Sequence, residues 1–193
     1  MATEKGQGAG GGFDGVTVPT LKTSRLVLRQ LVVQDAAELF KTLSDDEVMR
    51  YWSSGPHQNL EETKSYISWN ADADADHKCW AITTDDELAM GWVILLPHRK
   101  GSFELGYILG REHWRQGYIA EASAAVLDHA FTELAARRVM ADTDPDNIAS
   151  IGLLEKLGFQ KEGYLRGEWE THIGIRDSLI FGLLRDEWEA RRA

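Results

Sequence analysis

The chain contains a single cysteine, Cys79, among 193 residues, so no internal disulfide can form and its stability has to come from packing and hydrogen bonds. No apolar run approaches the length of a membrane-spanning helix, and no basic stretch leads into an apolar one near the start. The expectation is therefore a soluble cytoplasmic protein. Positive charge is also in short supply, with 21 Lys and Arg against 31 Asp and Glu and a formal net charge of −10. That balance argues against nucleic acid or an anionic membrane as a partner and suits a cationic one. The six histidines and Cys79 lack the spacing of metal ligands, since His77-x-Cys79 alone is too little, so no metal site is expected. Neither a Walker loop nor a G-x-S-x-G elbow is present. Gly6, Gly8 and Gly11 satisfy G-x-G-x-x-G, but no strand precedes them and no helical pattern follows, which removes the setting that gives the motif its meaning.

With 43% hydrophobic residues, the length allows one sizeable core, and one domain from about residue 20 to the end is expected behind a glycine-rich flexible tail over residues 1–19. The chain is organised around residues 103–122, FELGYILGREHWRQGYIAEA. Phe103, Leu105, Tyr107 and Leu109 alternate with Glu104, Gly106 and Ile108, the period of a strand. After Gly110 comes a polar loop with Arg115, Gln116 and Gly117, and then Ile119, Ala122, Val126, Leu127, Ala130, Phe131 and Leu134 recur at helical spacing. A strand that passes through a glycine-bearing loop into a helix leaves unpaired N–H groups at the positive end of the helix dipole. Such a turn binds phosphate.

The remaining pattern alternates in the same way. Residues 25–31 read as a first strand, Asp35 as the cap of a helix, Ser44 with Glu47 as a capping box, and Asn59 with Glu62 as the start of a helix over residues 60–73. Residues 78–84 and 88–96 read as a hairpin turning at residues 85–87, with a second turn at 97–101. A strand at 139–143, a helix at 148–157 ending on a left-handed Gly158, and a strand pair at 159–167 and 173–184 around a turn at 163–170 complete the chain. This order predicts an α/β fold with a mixed, mostly antiparallel sheet.

On these residues the chain resembles the GNAT superfamily of N-acetyltransferases. The segment RQGYIA at 115–120, followed by Glu121 and Ala122, is similar to the family's pyrophosphate loop, with Trp114 at its first position and Ile119 at its last. NIASIGLLEKLGF at 147–159 resembles its second coenzyme-contacting segment. TSRLVLRQL at 23–31 and SLIFGLLRDEW at 178–188 resemble the RimJ/RimL branch of ribosomal-protein N-terminal acetyltransferases. The resemblance implies the GNAT fold, with six to seven strands and helices on both faces. It also implies acetyl-CoA as co-substrate and a primary amine as acceptor, with a protein N-terminus as one candidate and a polyamine, amino acid or antibiotic as another. A non-catalytic acyl-CoA-binding module is the remaining alternative, and the assembly would be a monomer or homodimer.

The resemblance further places the pyrophosphate on Arg115, Gln116, Gly117, Tyr118, Ile119 and Ala120, and the pantetheine arm along the backbone of Tyr107, Ile108 and Leu109. Glu104 resembles a catalytic base, and a solvated strand carboxylate is the other reading. Many relatives carry a tyrosine acid seven residues beyond the asparagine, where this chain has Leu154. Ser150 then stands as a donor to the departing thiolate, or as a hydroxyl in the first turn of a helix that caps backbone or binds cofactor, and Asn147 either caps that helix or contacts pantetheine. Tyr51, Trp52 and His57 fall where the family builds its acceptor wall, and ordinary packing is the other reading.

Overall fold

The computed structural model describes residues 18–72, 75–84 and 88–192. Strands Leu21–Lys22 (β1) and Val27–Gln30 (β2) are followed by helices Ala36–Leu43 (α1), Asp46–Met49 (α2) and Leu60–Asn70 (α3). Strands Lys78–Thr83 (β3), Gly91–Arg99 (β4) and Ser102–Leu109 (β5) then lead into helix Tyr118–Thr132 (α4), strand Arg138–Thr143 (β6) and helix Ile148–Leu157 (α5). Strands Gln160–Thr171 (β7) and Gly174–Leu184 (β8) and helix Arg185–Ala190 (α6) complete the chain. The strands form one sheet in the order β1-β2-β3-β4-β5-β6-β8-β7, antiparallel everywhere except between β5 and β6.

Each face of the sheet buries its own core. On one side Leu105 and Leu109 of β5 meet Val126, Leu127 and Ala130 of α4, Leu154 of α5 and Trp188 of α6. On the other, Ile108, Ile94 and Trp92 meet Leu39 and Leu43 of α1 and Ile67 of α3. The alternation of β5 thus sorts its odd and even side chains between two cores. Truncating a fully buried leucine such as Leu127, 0% exposed, removes about 2 to 5 kcal/mol.

Several sequence expectations shift. The sheet has eight strands, not six to seven, because the short β1 pairs along β2. Asp35 does not cap α1: its carboxylate accepts from the backbone of Val32 and from Arg29, which lies 2.6 Å away as an ion pair. The cap of α2 is Asp45, which accepts from the amides of Glu47 and Val48, while Ser44 donates back to Lys41. Asn59 caps α3 through the Glu62 amide as expected. β4 runs on to Arg99 through an irregularity beside Pro97, so the turn there is shorter than 97–101. The turn expected at 163–170 lies inside β7, where Gly167, at φ 60°, serves a break in register between Leu165 and Trp169; the chain reverses instead between Thr171 and Gly174. Gly158 closes α5 at φ 96°. Helix α6 has no counterpart in the sequence reading. The glycine-rich stretch of residues 1–15 and the hairpin turn at 85–87 lie outside the described residues.

Gly91 sits directly across from β5, and a Cβ there would stand 2.1 Å from the Ile108 carbonyl oxygen and 2.8 Å from Leu109 Cα. Both obstacles are backbone, so Gly91→Ala should force β4 and β5 apart. The expected loss is about 2 kcal/mol or more, read as a drop of roughly 4 to 8 °C in melting temperature by circular dichroism. A variant melting within about 1 °C of the parent would show that the two strands part freely at this point.

Candidate active site

β5 and β6 are paired only at Ser102, Phe103 and Glu104 opposite Arg138, Val139 and Met140. Beyond these three pairs the strands separate, although β5 remains paired to β4 as far as Leu109 and β6 to β8 as far as Thr143. A slot therefore opens in the middle of the sheet, with a strand edge on each wall. Gly110 N–H donates to the Met90 carbonyl, which fixes the antiparallel alternation. The amides and carbonyls of Leu105, Tyr107 and Leu109 then point into the slot, while those of Ile108 are directed at β4. Among the three backbone contacts expected, Tyr107 and Leu109 fit such a role and Ile108 does not. The Leu109 carbonyl also accepts from the Trp114 indole at 2.8 Å, which draws the following loop back over the slot.

At the mouth of the slot stands the start of α4. Arg115 and Gly117 both adopt left-handed backbone, at φ 60° and 78°. Gly117 is the N-cap, so no side chain covers the first-turn amides of Tyr118, Ile119 and Ala120. The loop is tied down from outside. Glu121 Oε1 accepts from the hydroxyls of Thr23 at 2.6 Å and Ser24 at 3.1 Å and from the Arg25 amide. Arg25 donates Nε to Glu121 Oε2 at 2.7 Å and Nη1 to the Gln116 carbonyl at 2.9 Å, and its guanidinium lies over the Tyr118 ring. Burial opposes the charge on Glu121, but the donors from Thr23, Arg25 and Ser24 outweigh it and hold the carboxyl below its ordinary range. Sequence spacing gave no sign of this latch, because its members lie almost a hundred residues apart. Beside it is a cavity of about 440 Å³ whose lining includes Gly117, Lys156 and the cations Arg25, Arg191 and Arg192.

α5 begins on the other wall. Asn147 Oδ1 accepts from the Ser150 amide at 3.1 Å, so Asn147 caps the helix and the Ser150 hydroxyl has no part in that cap. Upstream, Arg176 donates to Asp144 at 2.7 Å and to Asp146 at 2.5 Å, pinning the turn from β6 into α5; the Arg176 hydrogen bond holds the Asp144 carboxyl below its usual range. The Ser150 hydroxyl meets the Tyr107 hydroxyl at 2.7 Å. Burial pushes the Tyr107 phenol up to about 12, against the opposing pull of Ser150. Local sequence places no second hydroxyl beside Ser150; Tyr107 supplies one, and only the folding of α5 over β5 brings it there.

Glu104 occupies the last residue pair before the strands part, half-buried, on the face opposite Tyr107 and Ser150. On that same face Asp142 of β6 accepts from the Trp169 indole at 2.9 Å. Trp52 and His57 are engaged elsewhere. Trp52 donates its indole N–H to Tyr66 at 2.9 Å and stands edge-on to Trp92, and His57, 4% exposed, pairs with the Thr63 hydroxyl while burial lowers its pKa. Tyr51 lies under the Arg50 guanidinium. Among the described residues no cluster of three or more His, Cys, Asp or Glu could hold a metal ion, and no helix is long and apolar enough to cross a membrane.

A family model described as an acetyltransferase (GNAT) domain matches residues 25–160. The uncharacterized N-acetyltransferase YoaA of Bacillus subtilis is 37% identical, over 86% of this chain and 97% of its own length. The uncharacterized N-acetyltransferase p20 of Bacillus licheniformis is 33% identical over 88% and 98%. A spermidine N(1)-acetyltransferase of Escherichia coli is 27% identical over 84% and 88%. Among solved structures, a Vibrio cholerae spermidine N-acetyltransferase in complex with CoA and spermine shares the fold, with a TM-score of 0.74 at 22% identity over 86% of this chain and 99% of that one.

If the latch sets the loop, Glu121→Gln should speed hydrogen exchange at the amides of residues 116–120 by about tenfold, with α5 unaffected. The carboxyl is depressed in the folded state, so its stabilisation is present above the ordinary value of 4.5 and is lost as pH falls through the lower folded value. The melting-temperature gap between parent and variant should accordingly be open at pH 7 and close below pH 4.5. Unchanged exchange in the loop would separate the latch from the loop's conformation.

Proposed function

The chain belongs to the GNAT family of N-acetyltransferases, and on that premise we propose that it transfers acetyl from acetyl-CoA directly to a protein N-terminal α-amine, as a member of the RimJ/RimL branch. The observation that carries this reading is the slot between β5 and β6, with an uncovered helix start at its mouth and chemistry on both of its faces. A pantetheine arm can hydrogen-bond to the exposed edge at Tyr107 and Leu109 as an added strand does. The amides of α4 offer a seat for the pyrophosphate, and Lys156 and Arg191, which line the neighbouring cavity, complement the remaining phosphate charge.

Glu104 on one face and Ser150 on the other fit the geometry of acyl transfer. The amine approaches the thioester carbonyl from the Glu104 side and loses a proton to that carboxylate or to water; the C–S bond breaks with its electron pair on sulfur, beside Ser150. Cys79 gives no alternative acyl carrier, since it is 3% exposed and burial raises its thiol pKa well above the ordinary range, away from the reactive thiolate. Direct transfer in a ternary complex is the route that this arrangement supports. An α-amine near pKa 8 needs only about 1 kcal/mol to be neutral at pH 7, against about 4 to 5 kcal/mol for a lysine-like amine, so one half-buried carboxylate suffices for the first. A polyamine acceptor is the second reading, favoured by the E. coli spermidine N(1)-acetyltransferase relative and by the net charge of −10.

Coenzyme A at 100 times its dissociation constant should stabilise the protein by about 2.7 kcal/mol, and Gly117→Glu should abolish that gain. With peptides bearing free N-termini and with spermidine as acceptors, thiol release should be faster for the peptides, and Glu104→Gln should distort the low-pH limb of the rate profile. A rate confined to spermidine would replace the first acceptor with the second. No binding at millimolar coenzyme A would overturn the reading.

A further inference from the structure

Resting on that reading of the slot, we propose that Tyr107 is a positioning residue for the leaving group: its hydroxyl donates to Ser150 Oγ and thereby turns the serine hydrogen into the slot, toward the sulfur that departs. The two hydroxyls are 2.7 Å apart, joining β5 to the first turn of α5. A phenol is a stronger acid than an alkyl alcohol, so within the pair Tyr107 is the better donor and Ser150 the better acceptor. Once its lone pair is occupied from Tyr107, the serine keeps its own hydrogen for a third atom. Asn147 accepts the Ser150 amide as the cap of α5, so the serine oxygen is not drawn into capping and can accept from Tyr107. Leu154 is 0% exposed in the core and offers nothing to the slot.

The step balances without charging either hydroxyl. The C–N bond forms and the amine proton leaves to Glu104 or water. The C–S bond breaks with its pair on sulfur, Ser150 donates a hydrogen bond to the thiolate, and the thiolate takes its proton from water. A phenol pushed up to about 12 by burial stays protonated throughout the working range, which makes Tyr107 a permanent donor. The same residue directs its backbone groups into the slot, so cofactor contact and donor alignment are fixed by one strand position.

The test compares Tyr107→Phe, Ser150→Ala and the double variant in full-length protein with acetyl-CoA and the best acceptor. Ser150→Ala should lower kcat by about 10²-fold and Tyr107→Phe by about tenfold, by the same factor from pH 6 to 9, with KM for acetyl-CoA within about threefold of the parent. The double variant should be no slower than Ser150→Ala to within about twofold, because Tyr107 acts only through the serine. Ser150→Thr, which keeps the hydroxyl, should recover most of the rate. Should the phenylalanine variant not fold, Tyr107→Leu, matching Leu105 and Leu109 on the same face, should show the same loss. A Tyr107→Phe protein with full kcat, losses that multiply in the double variant, or a change in KM alone would overturn the proposal while leaving the acetyltransferase reading intact. A parent protein that binds coenzyme A and acetylates neither peptides nor amines would overturn both.

Discussion

The parting of β5 and β6 is the constraint on which the rest depends. Two parallel strands that stayed paired would form a closed sheet with every backbone group satisfied. Here pairing stops after Glu104 and Met140, and two edges face one another across a gap. Unpaired backbone edges are costly unless something pairs with them. The fold tolerates the gap because β4 and β8 hold the outer edges of the two strands to their ends, and because a core on each face fixes their tilt.

Both helices that follow these strands begin at the gap but are finished differently. α5 is closed by Asn147, a side-chain cap that holds Ser150 in place; α4 is left open by Gly117, and its loop is stabilised instead from behind through Arg25 and Glu121. A helix start without a side-chain cap keeps its amides uncovered, and here its rigidity is supplied from the other side of the loop.

The parts of this arrangement that were legible in the sequence are those written in local spacing. The alternation of 103–109, the helix after Gly117, the cap at Asn59 and the left-handed Gly158 follow from periods of two and 3.6 and from glycine's freedom at positive φ. The misplaced caps at Asp35 and Ser44 arose because a carboxylate next to an arginine prefers that charge to a helix end, and because Asp45 competes for the same amides. Tyr107 was legible as a strand residue but not as the partner of Ser150, since 43 residues separate them and only the docking of α5 joins them. The partners that Trp52 and His57 find, Tyr66 and Thr63, were not legible either, because aromatic and imidazole groups serve cores and acceptor walls alike.

The order β6-β8-β7 also carries a consequence for how the molecule assembles. β6 is held to β5 by three residue pairs, while its other edge is covered from Arg138 to Thr143 by β8. Without residues 174–184, β6 would keep only those three pairs to define its direction. The pairs that join residues 138–143 to 179–184 close a long loop, so the wall of the slot that carries α5 depends on non-local contacts, the kind that form more slowly than local ones.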